Sequence, residues 1–96
     1  MDNKIKNMQT NLKLIRGVLG WSINKLAYEL GCSKQTIINL EKGLYKMSKT
    51  QYLAMRYLLQ LERDLYNITS SQYVDLMRML NGKMRKVVTY EFEEES

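Results

Sequence analysis

The segment KQTIIN, residues 34–39, carries three polar side chains that could form specific hydrogen bonds from one helix face. Lys34 and Gln35 would lie in the first turn, and Asn39 follows Gln35 by four residues on the same side. Lys can donate to guanine O6 or N7, while the amides of Gln and Asn match adenine N6 and N7. The pattern favours a surface that reads nucleobases; a solvated polar helix face is the alternative.

Basic residues follow this segment in a predicted loop and helix start. Lys42, Lys46 and Lys49 are spaced over eight positions, with Tyr45 between them. Ammonium groups, tyrosine hydroxyls and the free N–H groups at helix starts are common phosphate ligands. These four side chains are therefore candidates for contacts to a nucleic-acid backbone, although each loop lysine could equally be solvated.

The distribution of charge supports a polyanionic partner. The chain has 15 Lys and Arg against 10 Asp and Glu, a net charge of +5. Residues 1–50 carry nine basic against three acidic residues, a net +6, whereas residues 51–96 carry six against seven, a net −1. Because phosphate neutralisation releases counterions, a basic half of this kind suits nucleic acid.

Several function classes lack their usual residues. With one Cys and no His, the sequence offers no disulfide framework, no typical zinc site and no His-based catalytic triad. We therefore expect no cofactor, no metal and no enzymatic activity. The sequence contains no apolar run near the ~20 residues that span a bilayer, and no hydrophobic signal core, so we expect a cytoplasmic protein without a membrane partner.

Apolar periodicity and the absence of Pro predict an all-α fold of five helices. The predicted helices cover about residues 8–19, 23–30, 34–42, 48–65 and 70–81. Ser48 with Gln51, and Thr69 with Gln72, have the spacing of capping boxes at the last two starts. The fourth predicted helix is expected to pack through four residues: Leu53, Tyr57, Leu58 and Leu61.

The link between the second and third predicted helices is very short, so their backbones must approach closely. Ala27 provides a small side chain at the crossing, Gly31 allows a turn that is costly for residues with a Cβ, and Ile37 packs the third helix back. Ala, Gly at +4 and Ile at +10 is the spacing of a helix-turn-helix, with the third helix as the recognition helix.

The segment LKLIRGVLGWSINKLAYELGCSKQTIINLEKG resembles the lambda-repressor-like (Cro, xenobiotic-response-element) helix-turn-helix family of bacterial and phage DNA-binding regulators. The likeness extends from Leu12 to about Leu61 and includes Arg16, Glu41 and Gly43. It implies a compact helix-turn-helix domain that binds double-stranded DNA. It also implies a partly buried ion pair between Arg16 and Glu41.

The resemblance further assigns roles within the third helix. It makes Lys34, Gln35 and Asn39 the base-contacting positions, with Thr36 nearer the DNA backbone. One position departs from the family pattern: Ile23 stands where members usually carry a phosphate-contacting Gln. Either Ile23 packs inward, or this helix start docks differently on the duplex.

The C-terminal third is predicted to serve association. We expect a DNA-binding domain over residues 1–66, followed over 67–96 by a helix and a tail whose alternation in VVTYEFE is typical of a strand. Apolar residues on this helix and tail are the candidates for a homodimer interface: Tyr73, Met77, Leu80, Val88, Tyr90 and Phe92.

Together these patterns predict a sequence-specific transcriptional regulator, and the resemblance implies that it binds a palindromic operator as a dimer and acts as a repressor. Dimerisation would place two recognition helices one DNA turn, ~34 Å, apart. The alternative is an antitoxin-type module, which binds a partner protein through its C-terminal part and autoregulates through the helix-turn-helix.

Overall fold

Six α-helices form the part of the chain that the computed structural model describes, residues 2–82. They are α1 (Asp2–Thr10), α2 (Leu12–Leu19), α3 (Ile23–Leu30), α4 (Lys34–Lys42), α5 (Lys49–Asp64) and α6 (Ser70–Leu80). No strand occurs between residues 2 and 82. The predicted strand-like residues Val88, Tyr90 and Phe92 lie outside the described residues. The radius of gyration is 12.4 Å, so the all-helical fold is compact.

The prediction of five helices was wrong at the N-terminus. The single helix predicted over about 8–19 is two helices, because the chain turns at Asn11, whose side chain donates to the Asn7 carbonyl (2.9 Å). Asn competes in this way for backbone groups that would otherwise continue a helix. The additional helix, α1, buries Met8 completely and packs Ile5 against the core.

The pair α3 and α4 has the bounds that the sequence predicts. Ala27 and Ile37 are buried in the core, at 5% and 0% exposure. Between the helices, Gly31 has φ +72°, and its turn is closed by the Cys32 N–H donating to the Ala27 carbonyl (3.0 Å). This left-handed turn satisfies carbonyls at the end of α3 and lets α4 begin two residues later at its Ser33 cap.

Both predicted capping boxes are formed. The Ser48 side chain accepts from the Gln51 N–H (3.0 Å) and the Gln51 side chain accepts from the Ser48 N–H (2.9 Å) at the start of α5. The same reciprocal pair joins Thr69 and Gln72 at the start of α6. Each box satisfies two N–H groups that a helix start otherwise leaves without partners.

The predicted inward face of α5 was wrong for two of its four residues. Leu53 and Tyr57 are 48% and 64% exposed, and only Leu58 of the four is buried. The core side of α5 is instead formed by Tyr52, Met55, Leu58 and Leu59. Apolar residues surround much of this helix, so its sequence is compatible with two different buried faces. Packing against α3 and α6 determines which of the two faces is buried.

One core joins residues on both sides of the predicted boundary at residue 66. Ile68, Leu76 and Leu80 are buried in the same cluster as Leu12 and Ile37. Helix α6 packs against α1 and α5, and the Asn7 side chain donates to the Leu80 carbonyl (2.9 Å) at its end. The structure therefore places α6 within the same unit as the preceding helices.

This packing corrects part of the predicted dimer surface. Leu80 is 1% exposed and lies in the core of its own chain, so it is not accessible to a second copy. Tyr73 and Met77 are half-buried and also pack against the core. The Tyr73 ring is further covered by the Arg63 guanidinium, 4.3 Å from its centre.

No helix within residues 2–82 is long and apolar enough to cross a membrane.

Tyr66 is strained in a way that predicts a stabilising substitution. It has φ +61° in the turn after α5 and is 92% exposed, so no packing of its ring offsets the left-handed conformation. The left-handed conformation costs a residue with a Cβ about 1–2 kcal/mol, and glycine avoids this cost. Glycine also loses more conformational entropy on folding, which cancels part of the gain. We expect Tyr66→Gly to raise the free energy of unfolding by up to ~1 kcal/mol, measured by urea denaturation.

Gly31→Ala is the matched control, because Gly31 has the same backbone conformation and open space around its Cβ position. It should lower the free energy of unfolding by ~1 kcal/mol. Changes of the same sign in the two variants would contradict this explanation.

Candidate nucleic-acid interface

Helix α4 divides into a buried and an outward side. Ile37 and Leu40 are fully buried, whereas Lys34 and Gln35 are exposed and Asn39 is half-buried. The three predicted base-reading residues thus lie on the accessible part of a helix whose other side is held by the core. This arrangement presents polar groups from a rigid element.

The amides of Gln35 and Asn39 are joined to each other. Gln35 Nε2 donates to Asn39 Oδ1 (3.0 Å), one helical turn apart. The bond leaves the side-chain oxygen of Gln35 as an acceptor and the side-chain amino group of Asn39 as a donor. An acceptor together with a donor matches the major-groove edge of adenine, with its N6 donor and N7 acceptor.

Thr36 lies in the first turn of α4, where it is hydrogen-bonded to Ser33 and not to the side-chain amides of Gln35 and Asn39. Its N–H donates to Ser33 Oγ (3.1 Å), and the two hydroxyl oxygens lie 2.9 Å apart. The start of a helix carries partial positive charge and free N–H groups, which favour phosphate. Thr36 therefore lies at a helix start, and its contact to a DNA backbone stays a prediction.

A bidentate ion pair holds α4 against α2. Arg16 Nε donates to Glu41 Oε2 (2.9 Å) and Arg16 Nη2 to Glu41 Oε1 (3.3 Å), and the two side chains are 15% and 13% exposed. Arg16 Nη1 also donates to the Trp21 carbonyl (3.1 Å), which ties the turn before α3 into the same contact. The structure thus forms the pair that the resemblance implies.

The predicted phosphate ligands lie at the other end of α4. Lys42 is its last residue, Tyr45 and Lys46 lie in the following loop, and Lys49 begins α5. All four are exposed, Tyr45 at 44%. Within residues 2–82 no carboxylate forms an ion pair with the three lysines. Their charge is thus not compensated by a carboxylate of the described part of the chain.

Gln9 holds this loop in place, a role that sequence reasoning missed. Its Nε2 donates to the carbonyls of Leu40 (3.0 Å) and Tyr45 (2.6 Å), and its Oε1 accepts from the Met47 N–H (2.8 Å). One amide therefore connects α1, the end of α4 and the loop. A single Gln on a polar helix gives no signal in the sequence; only the position of α1 reveals its function.

An open groove of about 550 Å³ lies between α1 and the loop after α4. Lys6 lines it together with Lys42 and Lys46. Glu41, the one carboxylate in its lining, is neutralised by Arg16. The groove extends the basic surface onto α1, and Lys6 is an additional phosphate candidate that no sequence motif marks.

The structure shows the surroundings of Ile23 and Cys32, two residues close to the helix-turn-helix link, which the sequence did not determine. Ile23, the first residue of α3, is half-buried and packs against the core, which is the inward alternative of the two predicted. Cys32 also packs there, and burial raises the pKa of its thiol. A protonated thiol is a poor nucleophile, so reactivity at Cys32 is disfavoured.

No family model, curated protein or solved structure matches this chain. The resemblance to the lambda-repressor-like family therefore rests on the residues quoted above.

Among residues 2–82, no group of three or more His, Cys, Asp or Glu is arranged to hold a metal ion.

The Arg16–Glu41 pair yields a prediction about stability. Glu41→Gln should lower the free energy of unfolding by ~2 kcal/mol, between the small value of an exposed pair and the ~3–5 kcal/mol of a fully buried one, because Arg16 keeps its charge without a counterion. Urea denaturation measures the loss. Adding Arg16→Met should recover part of it, and strictly additive losses would contradict a direct interaction.

Gln9→Leu tests the connection to the loop. The substitution preserves most of the volume but removes three hydrogen bonds, and we expect a loss of ~1–3 kcal/mol with faster amide hydrogen exchange at Met47. Lys6→Leu, in the same helix and exposed, is the matched control. Unchanged exchange at Met47 in Gln9→Leu would show that the amide does not hold the loop.

Proposed function

We propose that the protein is a sequence-specific DNA-binding regulator of the lambda-repressor-like helix-turn-helix type. In this proposal, α3 and α4 form the helix-turn-helix, and α4 enters the major groove of double-stranded DNA. The observation that carries it is the outward amide pair of Gln35 and Asn39 on a helix whose opposite side is buried. The proposed regulator is a cytoplasmic homodimer that acts as a repressor by occluding polymerase.

The charge around α4 supports this function. Lys34 begins the helix, while Lys42, Lys46 and Lys49 follow it without internal ion pairs among the described residues. Base contacts specify a sequence, and phosphate contacts fix the register of the protein on the duplex. In the proposal, the first half of α4 with Asn39 reads the bases, and the lysines at the end of α4 and beyond it bind phosphates.

The proposal assigns no catalytic step and no cofactor to the chain. Cys32, its one thiol, is half-buried with a raised pKa, and the charged side chains of the interface are ammonium groups. Ammonium and amide groups without an activated nucleophile serve binding rather than bond cleavage. The antitoxin alternative stays a prediction: α6, the helix that motivated it, packs one side into the chain's own core and leaves Val74 exposed on the other.

Base reading and phosphate binding should be separable by substitution. We expect Gln35→Ala to change the preference at one base position by ~1–3 kcal/mol, because it removes one amide of the pair. Lys46→Ala should weaken binding to all sequences and lower the salt slope by about one unit, because it removes one phosphate contact. A protein-binding DNA microarray measures the first effect, and fluorescence anisotropy at several salt concentrations measures the second.

The exposed residue Thr50, on the first turn of α5 beyond Lys49, supplies a control as Thr50→Ala. It should leave both the base preference and the salt slope unchanged. If Gln35→Ala and Lys46→Ala weaken all sequences equally, Gln35 is not a base-reading residue.

A further inference from the structure

The groove between α1 and the loop after α4 gathers positive charge that the described chain does not neutralise, and we refer to it as the basic groove. Lys6, Lys42 and Lys46 line it, and all three are exposed. Within residues 2–82 none of them forms an ion pair. Glu41, the one carboxylate in the lining, is held by Arg16 through two hydrogen bonds. Like charges in one groove repel each other, so an anionic occupant would stabilise it.

The walls of the basic groove are fixed and partly apolar. The Gln9 amide fixes them, since it donates to the Leu40 and Tyr45 carbonyls and accepts from the Met47 N–H. Leu44 and Tyr45 add apolar surface that is 66% and 44% exposed. The volume of about 550 Å³ is large enough for several side chains of a docked segment. The groove therefore combines charge with a preformed shape.

The C-terminal end of the described chain lies close to this groove. The Asn7 side chain donates to the Leu80 carbonyl (2.9 Å) and lies 3.9 Å from the Cβ position of Gly82. Asn7 precedes Gln9 by only two residues in α1. The chain after Gly82 and the basic groove are therefore on two sides of a single helix, which is ~10 Å across.

We propose that the acidic segment EFEEE, residues 91–95 of this chain, docks in the basic groove. The segment lies outside the described residues, and its sequence has four Glu in five positions. Glu91 follows Gly82 by nine residues, a length that reaches up to ~30 Å when extended. The described fold measures 30 × 27 × 26 Å, so the segment is long enough to pass around α1. Its carboxylates complement the three ammonium groups of the groove.

The covalent connection makes weak contacts sufficient. Exposed ion pairs are individually weak and are screened by salt. A short flexible connection, however, holds a segment near its site at an effective concentration in about the millimolar range. We therefore expect occupancy of the groove at low salt that is lost as salt is added.

Docking would have a consequence for DNA binding, which rests on the proposed function. Lys42 and Lys46 are among the residues proposed to bind phosphate, and the glutamates would compete for both. The acidic segment would thus weaken binding to every sequence without changing the base preference, because it covers phosphate ligands and not the Gln35 and Asn39 amides.

Paramagnetic relaxation in the full chain without DNA tests the docking. A nitroxide is attached at Ser96→Cys in a Cys32→Ala background, and far-UV circular dichroism confirms the fold. Amide signals of residues 6 and 42–46 should broaden at least ~threefold more than that of Tyr28, an exposed residue of α3 outside the groove. Broadening no greater than that of Tyr28 would overturn the proposal; it is the result expected if the glutamates pair instead with the basic residues at 83–86.

Two pairs of variants identify the charges involved. Changing the four glutamates of the segment to Gln should abolish the excess broadening, whereas changing them to Asp should preserve it. Gln in place of the three groove lysines should also abolish it. The matched control replaces three exposed lysines outside the groove: Lys13, Lys34 and Lys49. Equal losses in the two lysine variants would overturn the proposal, because general attraction to a basic protein would then explain the result.

A mixed sample shows whether the segment belongs to the same chain. Spin-labelled chains without ¹⁵N are mixed with ¹⁵N-labelled chains that carry no nitroxide, and the groove signals should stay sharp. Broadening in this sample equal to that within one chain would overturn the proposal. Because no measurement here contains DNA, a failure leaves base reading by α4 standing, and a failure of base reading leaves the docking standing.

Discussion

The structure depends on the attachment of α4, a short helix that must be rigid while one side of it stays open. Ile37 and Leu40 bury its inner side, and the bidentate pair of Arg16 with Glu41 joins its last turns to α2. Because the Arg16 guanidinium also binds the Trp21 carbonyl, the turn leading into α3 is held by the same group. The orientation of the outward amides is therefore set by contacts on the opposite side of the helix.

Helix α1 extends this support to the rest of the surface. Asn7 binds the end of α6 through the Leu80 carbonyl, and two residues later Gln9 binds both the end of α4 and the lysine-bearing loop. Two amides on one helix thus connect the C-terminal helix with the proposed phosphate-binding loop. Each binds backbone groups at a helix end or in a loop, where the regular helix hydrogen bonds stop, which gives a physical reason for the presence of an additional N-terminal helix.

The parts of this fold that depend on local chemistry could be predicted from the sequence, and those that depend on competing packing could not. The caps at Ser48 and Thr69 follow from the hydroxyl side chains at these positions. The turn at Gly31 follows from the absence of a Cβ there. The inner face of α5 could not be predicted, since Tyr52 and Tyr57 are equally apolar and only contacts with other helices distinguish them. The hydrogen bonds of Gln9 depend on the position of a separate helix, which no periodicity encodes.

NMR can test whether α4 and the loop after it face DNA, as we propose. A ¹⁵N-labelled sample titrated with a mixed-sequence duplex at low salt needs no knowledge of the operator. If the proposal is right, amide shifts should change most over residues 33–39 and 45–49, with little change on the exposed side of α6. Changes confined to α6, or none at any duplex concentration, would contradict it.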